Sequence, residues 1–135
     1  MAGPAVARTK FEELKPMPCL FCTLKENNAN YLCENDFWYV IADKYPASPG
    51  HHLAILKTHK ESFFELDDDE LIAAQSALKT TKEKLDASHQ PDAYNIGINE
   101  GAAAGRTIHH VHIHLIPRYA SAPAKGGIEA LLKKN

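Results

Sequence analysis

The chain contains no apolar run of roughly 18 residues, so nothing in it reads as a membrane-spanning helix. Its opening, MAGPAVARTKFEELKP, lacks the apolar centre and small-residue cleavage pattern of a secretion signal. Cysteine is sparse. Cys19, Cys22 and Cys33 are an odd number, which suits free thiols or metal ligands in a reducing compartment better than a disulfide framework, and the expected location is cytoplasmic. A basic excess is also missing: 15 Lys and Arg stand against 17 Asp and Glu, for a net charge of −2. That balance lacks the basic excess expected of a protein that grips a nucleic-acid polymer through its backbone, so any phosphate is expected to be held locally. There is no internal repeat, and 135 residues with 44% hydrophobic content predict a single core.

What is present divides into an arm, a domain and a tail. Residues 1–18, interrupted by Pro4, Pro16 and Pro18, read as an N-terminal arm with a short helix around Phe11 to Leu14. The domain spans 19–120, and 121–135 form a C-terminal tail. Tyr31-Leu32-Cys33 and Phe37 to Ala42 read as a hairpin about the turn-like Glu34-Asn35-Asp36, and His52 to Leu56 as a third strand. From Asp67 an acidic start, apolar residues at helical spacing (Leu71, Ile72, Ala74, Leu78, Leu85) and late lysines predict an amphipathic helix of roughly five turns. Tyr94 to Asn99 and Ile108 to Pro117 complete the strands, so the predicted class is α+β: about five mainly antiparallel strands, one long helix and a shorter N-terminal helix.

The last of these strands carries the chemistry. In Ile108-His109-His110-Val111-His112-Ile113-His114-Leu115 the side-chain period of two places His110, His112 and His114 on one face and Val111, Ile113 and Leu115 on the other. The aliphatic face packs; three imidazoles in register have no comparable packing reason. They suit either a metal cluster or nucleophilic and acid–base work near neutral pH. Directly upstream, Gly101 and Gly105 allow close backbone approach, while Arg106 and Thr107 add a cation and a hydroxyl, a combination that fits a phosphate. His109, opposite in parity, is expected to be structural or loop-exposed. Cys19-x-x-Cys22 is compatible with a zinc half-site or a redox pair, and Cys33 reads as a small buried hydrophobe.

The run from Asn99-Glu100-Gly101 through Gly105-Arg106-Thr107-Ile108-His109-His110-x-His112-x-His114 to Arg118-Tyr119 resembles the signature of the histidine-triad (HIT) superfamily. Pro49 to His59 resembles its second block, and Cys19-Leu20-Phe21-Cys22 its usual opening. The resemblance implies a HIT-like fold and a hydrolase in which His112 attacks the α-phosphorus of a nucleotide, with His110 and His114 flanking it. It implies that Asn99, Gly105, Arg106 and Thr107 hold phosphates, with the Thr107 hydroxyl near the leaving group. Asp43 would accept ribose hydroxyls, and Leu20, Phe21 and Ile41 would line the base pocket. Arg106 stands where the family usually has glutamine, and a permanent cation there should favour polyphosphate. Some bacterial-type members complete a structural Cys₂His₂ zinc site, here Cys19, Cys22, His59 and His110; no organic cofactor is implied. Members commonly form homodimers.

The Gly126-Gly127-Ile128 tail and the cysteine pair resemble the diadenosine polyphosphate branch, so the expected reaction releases a nucleoside monophosphate from a dinucleoside polyphosphate. The alternative within the superfamily is an adenosine phosphoramidate or aminoacyl-adenylate hydrolase. From other classes, the rivals are a metal site on the histidine row and a nucleotide-binding interaction module with negligible turnover. In each nucleotide reading the partner is an adenine nucleotide, with neither nucleic acid nor membrane involved.

Overall fold

The computed structural model describes residues 19–27 and 30–128, so the arm, with its expected helix near Phe11, and the end of the tail lie outside the described residues. Five strands form one antiparallel sheet: β1 Cys33–Glu34, β2 Trp38–Ala42, β3 His52–Leu56, β4 Ala93–Gly97 and β5 His112–Arg118, in the order β1-β2-β3-β5-β4. Two helices flank it, α1 Leu20–Asn27 and α2 Asp68–His89. A short helix near the amino terminus is present at the cysteine pair, a different segment from the Phe11 to Leu14 stretch in which one was expected.

The sheet positions the site by alternation. On β2 and β3, Trp38, Val40, Ala54 and Leu56 turn to one face, where they bury against Ala74 and Ala77 of α2 together with Val111 and Ile113. The small alanines let the helix approach closely, and the Trp38 indole donates to the Glu70 carbonyl at 2.8 Å, so its polar edge is satisfied as its rings are buried. Residues of opposite parity, Tyr39, Leu53 and Ile55, bury beneath Phe21 of α1 on the other face. That second face also carries His112 and His114.

The long helix starts at a capping box. Asp67 accepts from the Glu70 amide and Glu70 reaches back to the Asp67 amide at 2.9 Å, while the same Glu70 carboxylate takes Lys60 Nζ at 2.8 Å. It ends at left-handed Gln90 after 22 residues, about six turns rather than five. Cys33 is half-buried against this helix, its sulfur 3.6 Å from the Thr81 hydroxyl.

Three expected strands need correction. The Tyr31 strand is reduced to Cys33–Glu34, and the Tyr94 strand covers Ala93–Gly97. The histidine strand begins only at His112. Before it the backbone is captured elsewhere: the His110 amide closes on Ile108 O at 3.0 Å and the Val111 amide donates to Lys60 O at 2.8 Å. His110 therefore reaches its place from an irregular segment, although it shares the face that strand parity assigns.

Candidate functional site

The hydrogen bonds around each imidazole decide which nitrogen carries the proton, because a carbonyl can only accept. His112 Nδ1 lies 2.7 Å from the His110 carbonyl, so Nδ1 holds the hydrogen and the Nε2 lone pair is left for chemistry. His110, which is fully buried, donates from Nε2 to Leu56 O at 2.6 Å, leaving its lone pair on Nδ1. Phe21 packs edge-on against both rings, with centroids 5.8 Å from His110 and 5.0 Å from His112. Burial pushes His110, His112 and His114 below the ordinary imidazole value. For His112, the fields of His114 and Arg106 add to that effect, and the His110 carbonyl and Asp43 oppose it. A buried, neutral imidazole with a fixed tautomer is a competent nucleophile near pH 7 without an activating base.

His114 is oriented by a residue to which the sequence reading gave no role. The Ala47 amide donates to His51 Nδ1 at 3.0 Å, which places the His51 proton on Nε2, 3.0 Å from His114 Nδ1 and 3.3 Å from Asp43 Oδ2. His114 consequently keeps its own proton on Nε2. Asp43 is half-buried; its Oδ1 accepts from the Tyr45 amide at 2.8 Å, and its Oδ2 lies 4.0 Å from His114 Nδ1. The β3–β5 pairing, with Leu53 opposite His114, brings His51 to the triad, and no local pattern in the Gly50-His51-His52 stretch announces it.

The loop before β5 is built on glycine where the backbone demands it. Gly101 and Gly105 sit at φ of 98° and 100°, flanking a short helical turn at Ala102–Ala104. A Cβ at Gly105 would lie 4.0 Å from the Asn99 side-chain nitrogen, so the half-buried Asn99 stands beside this turn. The loop is pinned to the segment after β3, because Glu100 Oε1 accepts from the Phe63 amide at 2.9 Å. Arg106 donates through Nε to His109 Nδ1 at 3.1 Å and through Nη1 to the Glu61 carbonyl. His109 is exposed, as expected, but lies on the irregular segment rather than a strand, so parity does not set its direction. Thr107 is also exposed. Of the expected base-pocket residues, Phe21 touches the histidines and Ile41 is half-buried beneath α1. Leu20 is 53% exposed and belongs to neither core cluster.

A second centre adjoins the first. Cys19, Cys22, His59 and His110 converge, with Cys19 Sγ to His110 Nδ1 at 3.3 Å, Cys22 Sγ to His59 Nδ1 at 3.5 Å, Cys22 Sγ to His110 Nδ1 at 3.7 Å and the two Nδ1 atoms 3.1 Å apart. Tetrahedral zinc, with Zn–N near 2.0–2.1 Å and Zn–S near 2.3 Å, spaces such donors about 3.3–3.8 Å apart. The donor chemistry also fits, since His110 presents a lone pair there and His59 Nε2 has the Glu61 carboxylate 3.7 Å away as an outer partner. Asp43, His51 and His114 also cluster, yet the Ala47 amide keeps a proton on the nitrogen that His51 would have to offer a metal. In that trio the single His51 Nε2–H faces both His114 Nδ1 and Asp43 Oδ2. Nor does the histidine row form one metal site, because His110 and His112 direct their lone pairs differently and His112 joins no metal-competent group among the described residues.

Three histidines aligned along β5 and the segment that enters it, beside a glycine-turned loop and with a Cys/His cluster adjoining, define a histidine-triad domain. The HIT domain model matches residues 24–121, and the chain belongs to the HIT family. An uncharacterised HIT-like protein of Methanocaldococcus jannaschii is 39% identical over 75% of this chain and 79% of its own length. An adenylylsulfatase of Arabidopsis thaliana is 35% identical over 74% of this chain and 52% of its own. An adenosine 5'-monophosphoramidase of Saccharomyces cerevisiae is 32% identical over 74% and 62%. Among solved structures, a zinc-bound histidine triad family protein from Mycobacterium smegmatis superposes with a TM-score of 0.68 at 29% identity, covering 77% of each chain.

Proposed function

We propose that this protein is a nucleotide hydrolase that cleaves at the α-phosphate through a covalent nucleotidyl-His112 intermediate and releases a nucleoside monophosphate. The observation that carries this reading is the hydrogen bond from His112 Nδ1 to the His110 carbonyl, which frees Nε2 as a neutral nucleophile. Nε2 forms the bond to phosphorus as the bond to the leaving group breaks; water then cleaves the P–N bond and restores the imidazole. His114 Nε2–H, the Asn99 amide, the Gly105 backbone and the Thr107 hydroxyl supply donors to the phosphate. Such donors, aimed at developing charge, contribute about 10²–10³ in rate each. Asp43 accepts from the ribose, and Phe21, Ile41 and the exposed Leu20 face the base.

A dinucleoside polyphosphate is the favoured substrate, supported by the cation at Arg106 and the Gly126-Gly127 tail; an adenosine phosphoramidate is the alternative, supported by the yeast relative. Cys19, Cys22, His59 and His110 hold a structural zinc that ties α1 to the triad. No helix among the described residues is long and apolar enough to cross a membrane, and a cytoplasmic setting suits the thiol ligands. The edge strand β4 presents Ile96 at 62% exposure, an opening that suits a homodimer.

Mass spectrometry of the intact protein after brief incubation with diadenosine polyphosphate or adenosine phosphoramidate tests the reading. A nucleotidyl adduct and AMP release in wild type, both lost in His112→Ala, are expected. AMP binding with neither adduct nor release would leave a nucleotide-binding module in its place.

A further inference from the structure

Arg106 is a half-buried cation without a carboxylate partner among the described residues. Its Nε bonds a neutral histidine nitrogen, its Nη1 bonds a backbone carbonyl, and its Nη2 makes no hydrogen bond among the described residues. The neighbouring acids are engaged elsewhere: Glu61 Oε2 lies 3.7 Å from His59 Nε2, and Glu100 Oε1 takes the Phe63 amide at 2.9 Å. Neither comes within ion-pair distance of the guanidinium. Glu100 feels the guanidinium's field without pairing to it, so a cation held in a polar loop only by neutral acceptors is a place where a ligand's charge completes the site. It sits on the glycine-turned loop that leads into the histidine segment, its amide bonded to Gly101 O at 3.3 Å, and its field reaches His112.

We infer that Arg106, steered by His109, forms a leaving-group subsite that selects nucleotides whose leaving group is an oxyanion, a phosphate or sulfate, over those that release an amine. This rests on the covalent reading above. As His112 Nε2 bonds to phosphorus, the P–O bond breaks and its electron pair stays on the bridging oxygen, which gains one negative charge. A phosphate or sulfate leaves in that form without a proton, and a fixed guanidinium stabilises the growing charge. An amine leaves only after its nitrogen receives a proton. Arginine does not release one near neutral pH, so Arg106 has little to offer that substrate. His109 is a positioning residue: its Nδ1 accepts from Nε and fixes the plane of the guanidinium fork.

The test compares adenosine 5'-phosphosulfate, diadenosine tetraphosphate and adenosine 5'-phosphoramidate on the full chain, following adduct formation by rapid quench and mass spectrometry. Arg106→Gln is expected to lower adenylylation by the two oxyanion substrates about 10- to 100-fold more than adenylylation by the phosphoramidate. His109→Ala should shift the same ratio in the same direction by a smaller factor, with His109→Gln restoring part of it. High salt should compress the wild-type preference through screening. The phosphoramidate rate also serves as the control for folding. If wild type cleaves only oxyanion substrates, that discrimination is itself the expected result and must collapse in Arg106→Gln. Equal losses on all three substrates, or wild-type cleavage of the phosphoramidate alone, would overturn the inference while leaving His112 chemistry intact. No adduct with any substrate would remove both.

Discussion

Zinc should set the melting temperature of this protein. Two sulfurs and two imidazole nitrogens converge with edges of 3.1–3.7 Å, drawn from the start of α1 and the residue before it, from the segment after β3 and from the residues before β5. An ion bound by the folded state and not by the unfolded chain stabilises by about 1.4 kcal/mol for every tenfold excess of free zinc over its dissociation constant, reaching about 2.7 kcal/mol at a hundredfold. A domain of this length shifts by about 3–5 °C per kcal/mol. The melting temperature should therefore climb about 4–7 °C per decade of buffered free zinc above that constant. Differential scanning fluorimetry in zinc buffers measures the slope, and elemental analysis should return one zinc per chain. The double variant Cys19→Ser, Cys22→Ser should flatten the line, while His112→Ala should preserve it. A melting temperature indifferent to zinc across two decades, equal in chelated and zinc-saturated protein, would refute the assignment.

Acid should destabilise the fold over a definite range. His51, His110, His112 and His114 are held below the ordinary imidazole value chiefly by burial, so the unfolded chain binds more protons. Their contribution is complete above about pH 6.5 and is lost as pH falls towards the lowered native values, by about 1.4 kcal/mol per pH unit for each imidazole that protonates only on unfolding. Urea melts from pH 8 to 5 should be flat down to about 7 and then fall; a flat line throughout contradicts the burial argument. His51→Ala should lower kcat more than it raises KM for AMP-releasing substrates, because it frees His114 to change tautomer; a change confined to KM would instead make His51 a binding group. Gly105→Ala places a Cβ at φ of 100°, costing about 1–2 kcal/mol, and steady-state kinetics should show a drop in kcat/KM without loss of the His112 adduct.

The regular parts of this molecule were legible because period is visible in a sequence. Alternation in Val111-His112-Ile113-His114-Leu115 separated an aliphatic face, which packs with α2, from an imidazole face, which meets Phe21 of α1. Helical spacing and the acidic start located α2, though its last turn, closed by a left-handed Gln90 rather than glycine, gave no stop signal. The start of the histidine strand was misplaced for a tertiary reason: Lys60, fifty residues upstream, takes the Val111 amide. Prolines before Cys19 read as an arm and concealed that the cysteine pair opens a helix. His51 acquires its place from the Ala47 amide and from cross-strand register, neither of which leaves a mark in the local sequence. The four residues of the Cys/His cluster come from three separated segments, so only resemblance could assemble them in advance.

One residue serves both centres. His110 turns Nδ1 to the cysteines, gives its Nε2 proton to Leu56 and lends its carbonyl to His112. The carbonyl belongs to the backbone and survives any substitution, whereas the ring does not. Replacing the imidazole therefore leaves the hydrogen bond that fixes the His112 tautomer chemically available, but removes the anchor that holds that carbonyl in place. An engineer grafting the cysteine pair onto a related scaffold would inherit the same coupling: the Cys/His cluster could not be altered at position 110 without also disturbing the carbonyl that orients the ring two residues later.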